Sequence, residues 1–266
     1  MPNATQFRDA EKYLSYLKTP LGRLRSDLAW ENLKGFLPDL AHPKRALDLG
    51  GGTGSMSVPL AKNGFSVALL DSSEEMLEIA QKEAEGSGVA TRISFHHADA
   101  AQVQELFAPE TFDIVVCHNL LEYVADPGAI VHSIAHILRE DAVASLLVRN
   151  RAGDVLKAAI QSFDFELVKE NLSAKTVVES LYGRPVRVFD PAERLQILSQ
   201  ARLDSVAEYG VRVFADYRGS AEQNAEMYGG LLALELILGA KPQFAGIARY
   251  TQTIARRSSA PLGKEK

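Results

Sequence analysis

Apolar and polar positions follow two different periods along the first 150 residues. Short apolar runs end in glycine, acidic or other polar residues, and segments with helical spacing lie between them. The runs that predict strands span residues 45–49, 66–70, 92–96, 112–117 and 143–148. The helical patterns span residues 55–63, 73–86 and 127–139. This order predicts an α/β fold with a parallel sheet built from strand–helix–strand crossovers.

The regular alternation of strand and helix patterns ends after Asn150. Residues 151–189 predict a longer, partly helical insertion, and Pro191 begins a further helix. Two β-rich segments at 204–217 and 246–257 close the chain, with helical character around 225–237 between them. We therefore expect one domain over residues 1–257, with an N-terminal helical cover at 1–40, a substrate cap at 151–189 and a disordered tail at 258–266.

Composition limits the classes of protein that fit. A chain of 266 residues with 46% apolar content can bury a large core, and its single cysteine, Cys117, excludes an internal disulfide framework. The net charge of −5 gives no general attraction to a polyanion, so any nucleic-acid contact needs a local basic patch. No apolar run approaches the roughly 20 residues of a membrane helix, and the first residues form no apolar signal core. We expect a cytoplasmic protein without a membrane partner.

The glycine-rich segment ALDLGGGTG, residues 46–54, gives the first chemical indication. Ser55 stands where the dinucleotide pattern G-x-G-x-x-G needs its third glycine, and no Gly-Lys-Ser/Thr follows to make a P-loop. The segment fits the D-x-G-x-G-x-G form of class I methyltransferases, which predicts S-adenosylmethionine as the cofactor. The residues of this candidate loop are Asp48, Gly50, Gly51, Gly52 and Gly54. An ordinary tight turn is the alternative.

Two acidic residues at strand ends extend the candidate cofactor site. Asp71 follows the second strand, and its carboxylate is suited to the two hydroxyl groups of a ribose. Either Asp71 or Ser72 also fits the N-cap of the next helix, and the two roles are compatible. Asp99 and Ala100 follow the third strand, where we expect a side-chain acceptor and a backbone amide to meet the adenine edge. For Asp99, a surface loop acid is the alternative.

His118 ends the fourth predicted strand and faces the methyl-donor pocket in this architecture. Its imidazole would contact the cofactor or act as a general base, whereas a structural role is the alternative. The other histidines do not indicate a metal. His96 and His97 point to opposite faces of a strand, and the helical pair His132 and His136 lacks the glutamate of a zincin motif. We predict no metal.

The N-terminal segment 19–33 contains Arg25 and Trp30 and is expected to pack over the cofactor. A guanidinium group there can bind the methionine carboxylate through two hydrogen bonds. Composition alone favours the alternative, an amphipathic helix with solvated arginines.

Seven segments spread over nearly the whole chain, in preserved order, resemble the bacterial tRNA methyltransferases that esterify 5-carboxymethoxyuridine at the wobble position. They are TPLGRLRSDLAWENL, LDLGGGTG, LLDSSEEML, CHNLLEYVADP, YGVRVFADY, LLALELIL and ARYTQTIARR. The resemblance implies a Rossmann-like class I fold: a seven-stranded, mostly parallel sheet with an antiparallel last strand, helices on both faces and a partly helical substrate cap. It also implies tRNA as the partner. The cofactor-binding positions that it implies are Arg25, Gly50, Gly51, Asp71, Ala100, Ala101 and His118.

The segment at residues 166–189 departs from this family. It holds four basic residues where the family has a lysine-rich stretch, so fewer positive charges are available to bind phosphate groups. The basic residues are Lys169, Lys175, Arg184 and Arg187.

The chemical nature of the methyl acceptor determines whether the reaction needs a general base. A carboxylate acceptor is already ionised near neutral pH and needs placement more than a base, whereas a neutral hydroxyl or amine would make His118 the base. Candidates for fixing the acceptor are Arg149, Arg151, Tyr182, Arg184 and Tyr217. Three hypotheses stay open: a tRNA methyltransferase, a small-molecule O- or N-methyltransferase, and a cofactor-binding regulator without catalysis. The sequence does not indicate an oligomeric state.

Overall fold

The computed structural model describes residues 10–39, 44–217 and 225–257. A sheet of seven strands runs through the protein, and its strands lie in the order β3-β2-β1-β4-β5-β9-β8. Six strands run in one direction, and β9 runs antiparallel to β5 and β8 on either side of it. The strands are β1 (Arg45–Leu49), β2 (Ser66–Asp71), β3 (Ile93–His97), β4 (Phe112–His118), β5 (Leu138–Arg149), β8 (Leu203–Val211) and β9 (Tyr250–Arg257). The predicted fold class is confirmed.

Helices cover both faces of this sheet. On one face α5, α6 and α9 pack on apolar strand residues, and on the other face α3 and α4 do so together with the end of α2. The helices are α1 (Ala10–Lys18), α2 (Pro20–Lys34), α3 (Ser57–Lys62), α4 (Glu74–Gly86), α5 (Val103–Leu106), α6 (Pro127–Ile137), α7 (Arg151–Lys157), α8 (Phe165–Ser173), α9 (Pro191–Gln200), α10 (Ala225–Gly239) and α11 (Pro242–Ala245). Within the described ranges, no helix combines the length and the apolar character that crossing a membrane requires.

Local sequence explains where several helices begin. Asp126 and Asp190 each precede a proline, and their carboxylates accept the amide hydrogens of Ala129 (3.0 Å) and Glu193 (2.8 Å). Such side chains satisfy amide groups that have no partner inside a helix, and proline fits the first helical position. The helix expected from Pro191 is therefore confirmed as α9.

Three predicted boundaries were wrong. The helix expected over 127–139 ends at Ile137, and β5 begins at Leu138 instead of residue 143. The fully buried Leu138 pairs with Phe112, and Arg139 binds Asp113 at 3.0 Å, so this charged segment is held beside β4. The strand expected over 204–217 ends at Val211, because Arg212 adopts a positive φ of 62° and turns the chain.

The insertion at residues 151–189 is partly helical, as expected, and also contains a hairpin that the sequence pattern did not predict. A π-helical turn at 158–162 joins α7 to α8, and the hairpin of β6 (Thr176–Val178) and β7 (Pro185–Arg187) follows. The backbone carbonyl of Glu122, after β4, accepts the Arg187 amide at 3.1 Å. The hairpin is thus tied to the carboxyl end of the main sheet. The N-terminal segment 1–9, residue 40 and the tail 258–266 lie outside the described residues.

A buried carboxylate organises the loop after β8. Glu235 of α10 is fully buried, and its side chain accepts the amide hydrogens of Val213 (2.6 Å), Phe214 (3.1 Å) and Ala215 (2.8 Å). Burial raises the pKa of Glu235, and the amide groups oppose that rise because they stabilise the ionised form. This one side chain therefore sets the path of residues 212–217.

Replacement of Glu235 should destabilise the protein measurably. Glu235→Leu leaves three amide groups without their acceptor, and we expect the free energy of unfolding to fall by about 2–4 kcal/mol. Urea denaturation followed by circular dichroism measures this change. Glu235→Gln keeps one acceptor oxygen and should lose less. A Leu variant as stable as the parent would show that Glu235 does not hold this loop.

Candidate active site

A cavity of about 300 Å³ opens at the carboxyl ends of β1, β2, β4 and β5, the edge where open parallel sheets bind ligands. Its wall continues over α1 and α2, the cap segment 179–182 and the start of β9. Predicted site residues that line it are Arg25, Asp48, Gly50, Gly51, Gly52, Asp71, Ser72, Ala100, His118, Arg149 and Tyr182. The cavity thus unites nine of the twelve predicted cofactor residues with two of the five predicted acceptor residues.

The glycine turn brings backbone, rather than side chains, to the cavity. A side chain on Gly51 would place its Cβ 2.7 Å from Leu69 Cγ and 2.8 Å from Asp48 Cγ, so only glycine fits. Asp48 is buried beneath the turn and accepts the Ser57 hydroxyl hydrogen at 2.7 Å. Burial raises the pKa of Asp48 to about 6. The turn therefore packs closely on Leu69 and Asp48, and Gly50, Gly51 and Gly52 line the cavity with backbone that a nucleoside can approach closely.

Asp71 closes one side of this surface. One of its carboxylate oxygens accepts the Gly52 amide at 2.8 Å and the other accepts the Ser73 amide at 2.9 Å. Each oxygen keeps further acceptor capacity for a ligand hydroxyl. Burial raises the pKa of Asp71, while its backbone hydrogen bonds lower it. The N-cap expected at Asp71 or Ser72 was wrong: Ser73 caps α4, and its hydroxyl accepts the Met76 amide.

Arg25 projects from α2 into the cavity wall and is buried. It donates a hydrogen bond to the Tyr13 hydroxyl at 2.7 Å, and its guanidinium lies 5.4 Å from the Tyr16 ring centre and 5.8 Å from that of Tyr250. Burial lowers the pKa of Arg25, but the tyrosine oxygens raise it well above its ordinary value. Within the described ranges, no carboxylate lies within ion-pairing distance of Arg25. The cavity therefore offers a buried positive charge to an anionic ligand.

His118 is the last residue of β4 and lines the cavity. Its Nε2 is 2.8 Å from the hydroxyl of Ser145 on β5. Burial, with a further effect from the positive charge of Arg25, lowers the pKa of His118 to about 3. The imidazole is consequently neutral at physiological pH, and it binds a proton too weakly to serve as an efficient general base.

A cluster of arginines surrounds Tyr250, whose ring also faces Arg25. Asp154 accepts hydrogen bonds from Arg149 at 2.7 and 2.9 Å and from Arg249 at 2.5 Å. On the opposite side, Arg212 binds Asp216 through two hydrogen bonds. Burial raises the pKa of Tyr250, yet the surrounding guanidinium groups bring it below its ordinary value. The tyrosine hydroxyl thus lies in a strongly positive environment.

The structure leaves six predicted site residues outside the cavity wall. Asp99 accepts the Ala101 amide at 2.8 Å as the cap of a short 3₁₀ turn, and Arg151 pairs with Asp190 at 2.9 Å. Gly54 lies beneath the turn, where it packs near Ala80. The residues outside the wall are Gly54, Asp99, Ala101, Arg151, Arg184 and Tyr217.

Sequence reasoning missed several residues of the wall. Two come from α1, two from the loop after β4, and the others from the cap and the last strands. They include Tyr13, Tyr16, Asn119, Glu122, Glu179, Arg212, Arg249 and Tyr250. Arg212 and Tyr250 belong to segments that carried the family resemblance, and that was the available signal. In the part of the chain that the structure covers, no group of three or more His, Cys, Asp or Glu side chains is placed to hold a metal ion.

Comparison with known proteins agrees with this geometry. Residues 46–141 match a family described as a methyltransferase domain. The chain is 31% identical over 251 residues to the tRNA 5-carboxymethoxyuridine methyltransferase of Escherichia coli, a match that covers 93% of this chain and 92% of that protein. A ubiquinone biosynthesis O-methyltransferase of Aliivibrio fischeri is 29% identical over 180 residues, 68% of this chain and 70% of that protein.

Solved structures show the same fold. A SAM-dependent methyltransferase from Thermotoga maritima superimposes with a TM-score of 0.64 at 17% identity, covering 94% of this chain and 97% of that one. The 1,6-didemethyltoxoflavin-N1-methyltransferase of Burkholderia thailandensis, solved with S-adenosylhomocysteine, gives a TM-score of 0.55 at 17% identity, with 89% and 79% of the two chains covered.

Loss of the Asp71 carboxylate should weaken cofactor binding. Because hydrogen bonds to a charged acceptor contribute about 1.5–3 kcal/mol, we expect Asp71→Ala to lower S-adenosylmethionine affinity by roughly 10- to 100-fold. Isothermal titration calorimetry measures the dissociation constant. Asp126→Ala is the matched control, since it removes a helix-capping carboxylate that lies outside the cavity. Equal affinity in the two variants would contradict a role for Asp71 in binding the ribose.

Proposed function

Because the chain belongs to the same family as the tRNA 5-carboxymethoxyuridine methyltransferases, within the S-adenosylmethionine-dependent methyltransferases, we propose that it methylates the carboxylate of 5-carboxymethoxyuridine at the tRNA wobble position. The product is the methyl ester of that carboxylate. The observation that carries the proposal is the convergence of four buried guanidinium groups on one part of the cavity, around Tyr250, which suits an anionic acceptor; they belong to Arg25, Arg149, Arg212 and Arg249.

The residues at the glycine turn fit S-adenosylmethionine. Gly51 packs closely on Leu69 and Asp48 beneath the turn, where a Cβ does not fit, and Asp71 presents two acceptor oxygens beside the turn for the ribose hydroxyls. Ala100 lines the same side, where its backbone would meet the adenine. Arg25 supplies the positive charge for the methionine carboxylate. When bound, the cofactor supplies an electrophilic methyl group, which the acceptor oxygen receives while the carbon–sulfur electron pair stays on sulfur.

The arginine cluster is suited to the second anion. Arg149, Arg212 and Arg249 face Tyr250 with Asp154 and Asp216 as their paired carboxylates, and Lys157 also lines this end. The carboxylates fix the directions of the guanidinium groups, and the remaining N–H groups are donors for a carboxylate or phosphate. Tyr182 lines the cavity from the cap and is our further candidate for an acceptor contact. Residues 151–189 are proposed as the substrate cap.

Catalysis then depends on placement. A carboxylate is ionised near neutral pH and requires no proton removal, so the protein has to bring the acceptor oxygen to the methyl group and exclude water. Good orientation of two reactants can contribute about 7–11 kcal/mol. The buried Arg25 and Tyr250, together with the partly buried His118, provide in one wall the fixed charges and dipoles that such placement needs.

A small-molecule O- or N-methyltransferase is the second candidate. The similarity to ubiquinone biosynthesis O-methyltransferases and the net charge of −5 favour it, since tRNA gains no general attraction from this surface. A neutral acceptor, however, needs a base, and His118 is poorly suited to that task because its pKa is lowered to about 3 by burial and Arg25. The low proton affinity of His118 and the arginines around Tyr250 therefore favour the anionic acceptor.

Mass spectrometry of wobble nucleosides tests the proposal directly. Purified protein and S-adenosylmethionine should convert 5-carboxymethoxyuridine in tRNA to its methyl ester, and ribonuclease treatment of the tRNA before the assay should abolish transfer of labelled methyl groups. tRNA whose wobble uridine lacks the carboxymethoxy group is the control acceptor. Methyl transfer that survives ribonuclease, or that reaches only small molecules in a cell extract, would contradict the tRNA assignment.

The pH profile should separate a carboxylate acceptor from a neutral one. His118 is neutral above about pH 3 and a carboxyl acceptor is ionised above roughly pH 5, so neither group titrates between about pH 6 and 8. We expect kcat/KM to stay level between about pH 7 and 8. Toward pH 6 the buried Asp48, whose pKa burial raises to about 6, begins to gain a proton, and a loss of kcat/KM from this source should persist in His118→Gln. A loss of kcat/KM toward pH 6 that disappears in His118→Gln would show instead that His118 acts as a base.

A further inference from the structure

A chain of buried hydrogen bonds leads from α2 through β9 and β5 to His118. Gln252 of β9 is fully buried, and its amide nitrogen donates to the Ala29 carbonyl at 2.9 Å and to the Ser145 hydroxyl oxygen at 3.0 Å. Its amide oxygen accepts from the side chain of Asn32 at 3.0 Å. Because the Ala29 carbonyl can only accept, the orientation of the Gln252 amide is fixed.

The orientation of Gln252 determines where the Ser145 proton goes. Ser145 is fully buried, and its oxygen already accepts from Gln252. In the described part of the chain, His118 Nε2, at 2.8 Å, is the remaining group that can accept the hydroxyl hydrogen. The opposite direction, from His118 to Ser145, would leave a buried O–H group without an acceptor, which costs about 1–3 kcal/mol. Ser145 therefore donates to His118.

This direction assigns the tautomer of His118. Nε2 accepts a hydrogen bond, so in the neutral ring the proton is on Nδ1. Burial and Arg25 of α2 keep the ring neutral, because together they lower the pKa of His118 to about 3. Nδ1 makes no hydrogen bond within the described ranges, and the ring forms part of the cavity wall. The imidazole presents an N–H donor to the cavity.

We propose that Ser145 and Gln252 are positioning residues that hold His118 as a hydrogen-bond donor to a carboxylate oxygen in the cavity. Two carboxylates qualify, that of the cofactor's methionine moiety and that of the acceptor, and for the second the inference rests on the proposed function. With its Nε2 occupied and its Nδ1 protonated, His118 accepts no proton from the substrate. His118 therefore removes no proton from the acceptor, which suits an acceptor that arrives already ionised, such as a carboxylate.

Nuclear magnetic resonance of ¹⁵N-histidine protein reads the tautomer without any assay of activity. The chain has six histidines, and comparison with His118→Gln identifies the signals of His118. We expect a pyrrole-type shift for Nδ1 and a pyridine-type shift for Nε2, both constant between about pH 5 and 8. A protonated Nε2, or a ring that becomes charged in this interval, would overturn the proposal.

Two variants test the positioning role. Ser145→Ala removes the donor to Nε2, so the two neutral tautomers should mix. Gln252→Glu replaces the amide N–H group with an acceptor, which draws the Ser145 hydroxyl away from His118 and should move the ring proton to Nε2. Both should weaken binding of the carboxylate ligand by about tenfold or more, as expected for a lost hydrogen bond to a charged group. Thermal unfolding followed by circular dichroism establishes that each variant is folded.

A matched control lies on β3. Ser94 contacts His96 Nε2 at 3.0 Å, a second Ser–His pair that lies outside the cavity wall. Ser94→Ala should leave the His118 signals, ligand affinity and turnover unchanged. A Ser145→Ala variant that behaves in the same way would contradict the positioning role, even if Gln252→Glu fails to fold.

Two binding measurements identify the carboxylate. If His118 binds the cofactor, Ser145→Ala raises the dissociation constant of S-adenosylmethionine in calorimetry; if it binds the acceptor, that constant is unchanged and KM for tRNA rises. Failure of the two proposals is distinguishable. If the protein does not methylate tRNA, but His118 has the expected tautomer and Ser145→Ala weakens S-adenosylmethionine binding, only the tRNA assignment is refuted. Methylated tRNA with a protonated Nε2 refutes the role of Ser145 and Gln252 alone.

Discussion

The guanidinium of Arg25 lies buried against tyrosine rings, and the described part of the chain places no carboxylate within ion-pairing distance of it. A buried charge without a counterion is costly, so this arrangement is stable only where hydrogen bonds and ring faces replace water. The Tyr13 hydroxyl and the faces of Tyr16 and Tyr250 fill that role. The same positive charge also helps keep His118 neutral. Both the positive charge that the cavity offers to a ligand and the neutral state of His118 therefore depend on the burial of Arg25.

The order of the strands in the sheet brings together residues that help bury Arg25. Parallel strands bring their carboxyl ends to one edge, and the antiparallel β9 inserts between β5 and β8 so that Tyr250 and Gln252 join that edge from a distant part of the chain. Around it, carboxylates act as structural anchors. Asp154 holds Arg149 and Arg249, and Glu235 holds the loop that carries Arg212. These ion pairs and backbone hydrogen bonds fix donor directions before a ligand binds, which reduces the reorganisation that binding costs.

Much of the fold follows from local sequence. The five apolar runs of the first half match β1 to β5, and capping residues followed by proline mark the beginnings of α6 and α9. The boundaries that failed were set by contacts with distant residues. β5 begins early because Leu138 and Arg139 bind β4, and the strand before Arg212 ends early because Glu235 captures the amide groups that follow.

The sequence by itself predicted that the glycine turn and Asp71 line one cavity, because both lie within one crossover unit, where backbone geometry and strand ends follow from neighbouring residues. It also indicated an anionic acceptor, but only through family resemblance. Tertiary structure alone decided which cations and hydrogen bonds come together in the cavity. Arg212, Arg249 and Tyr250 reach it because of the order of the strands in the sheet. Gln252, more than 100 residues from His118 in the sequence, places the proton of that histidine through Ser145. Such pairings depend on sheet topology and register, which a local pattern of apolar and polar residues does not specify.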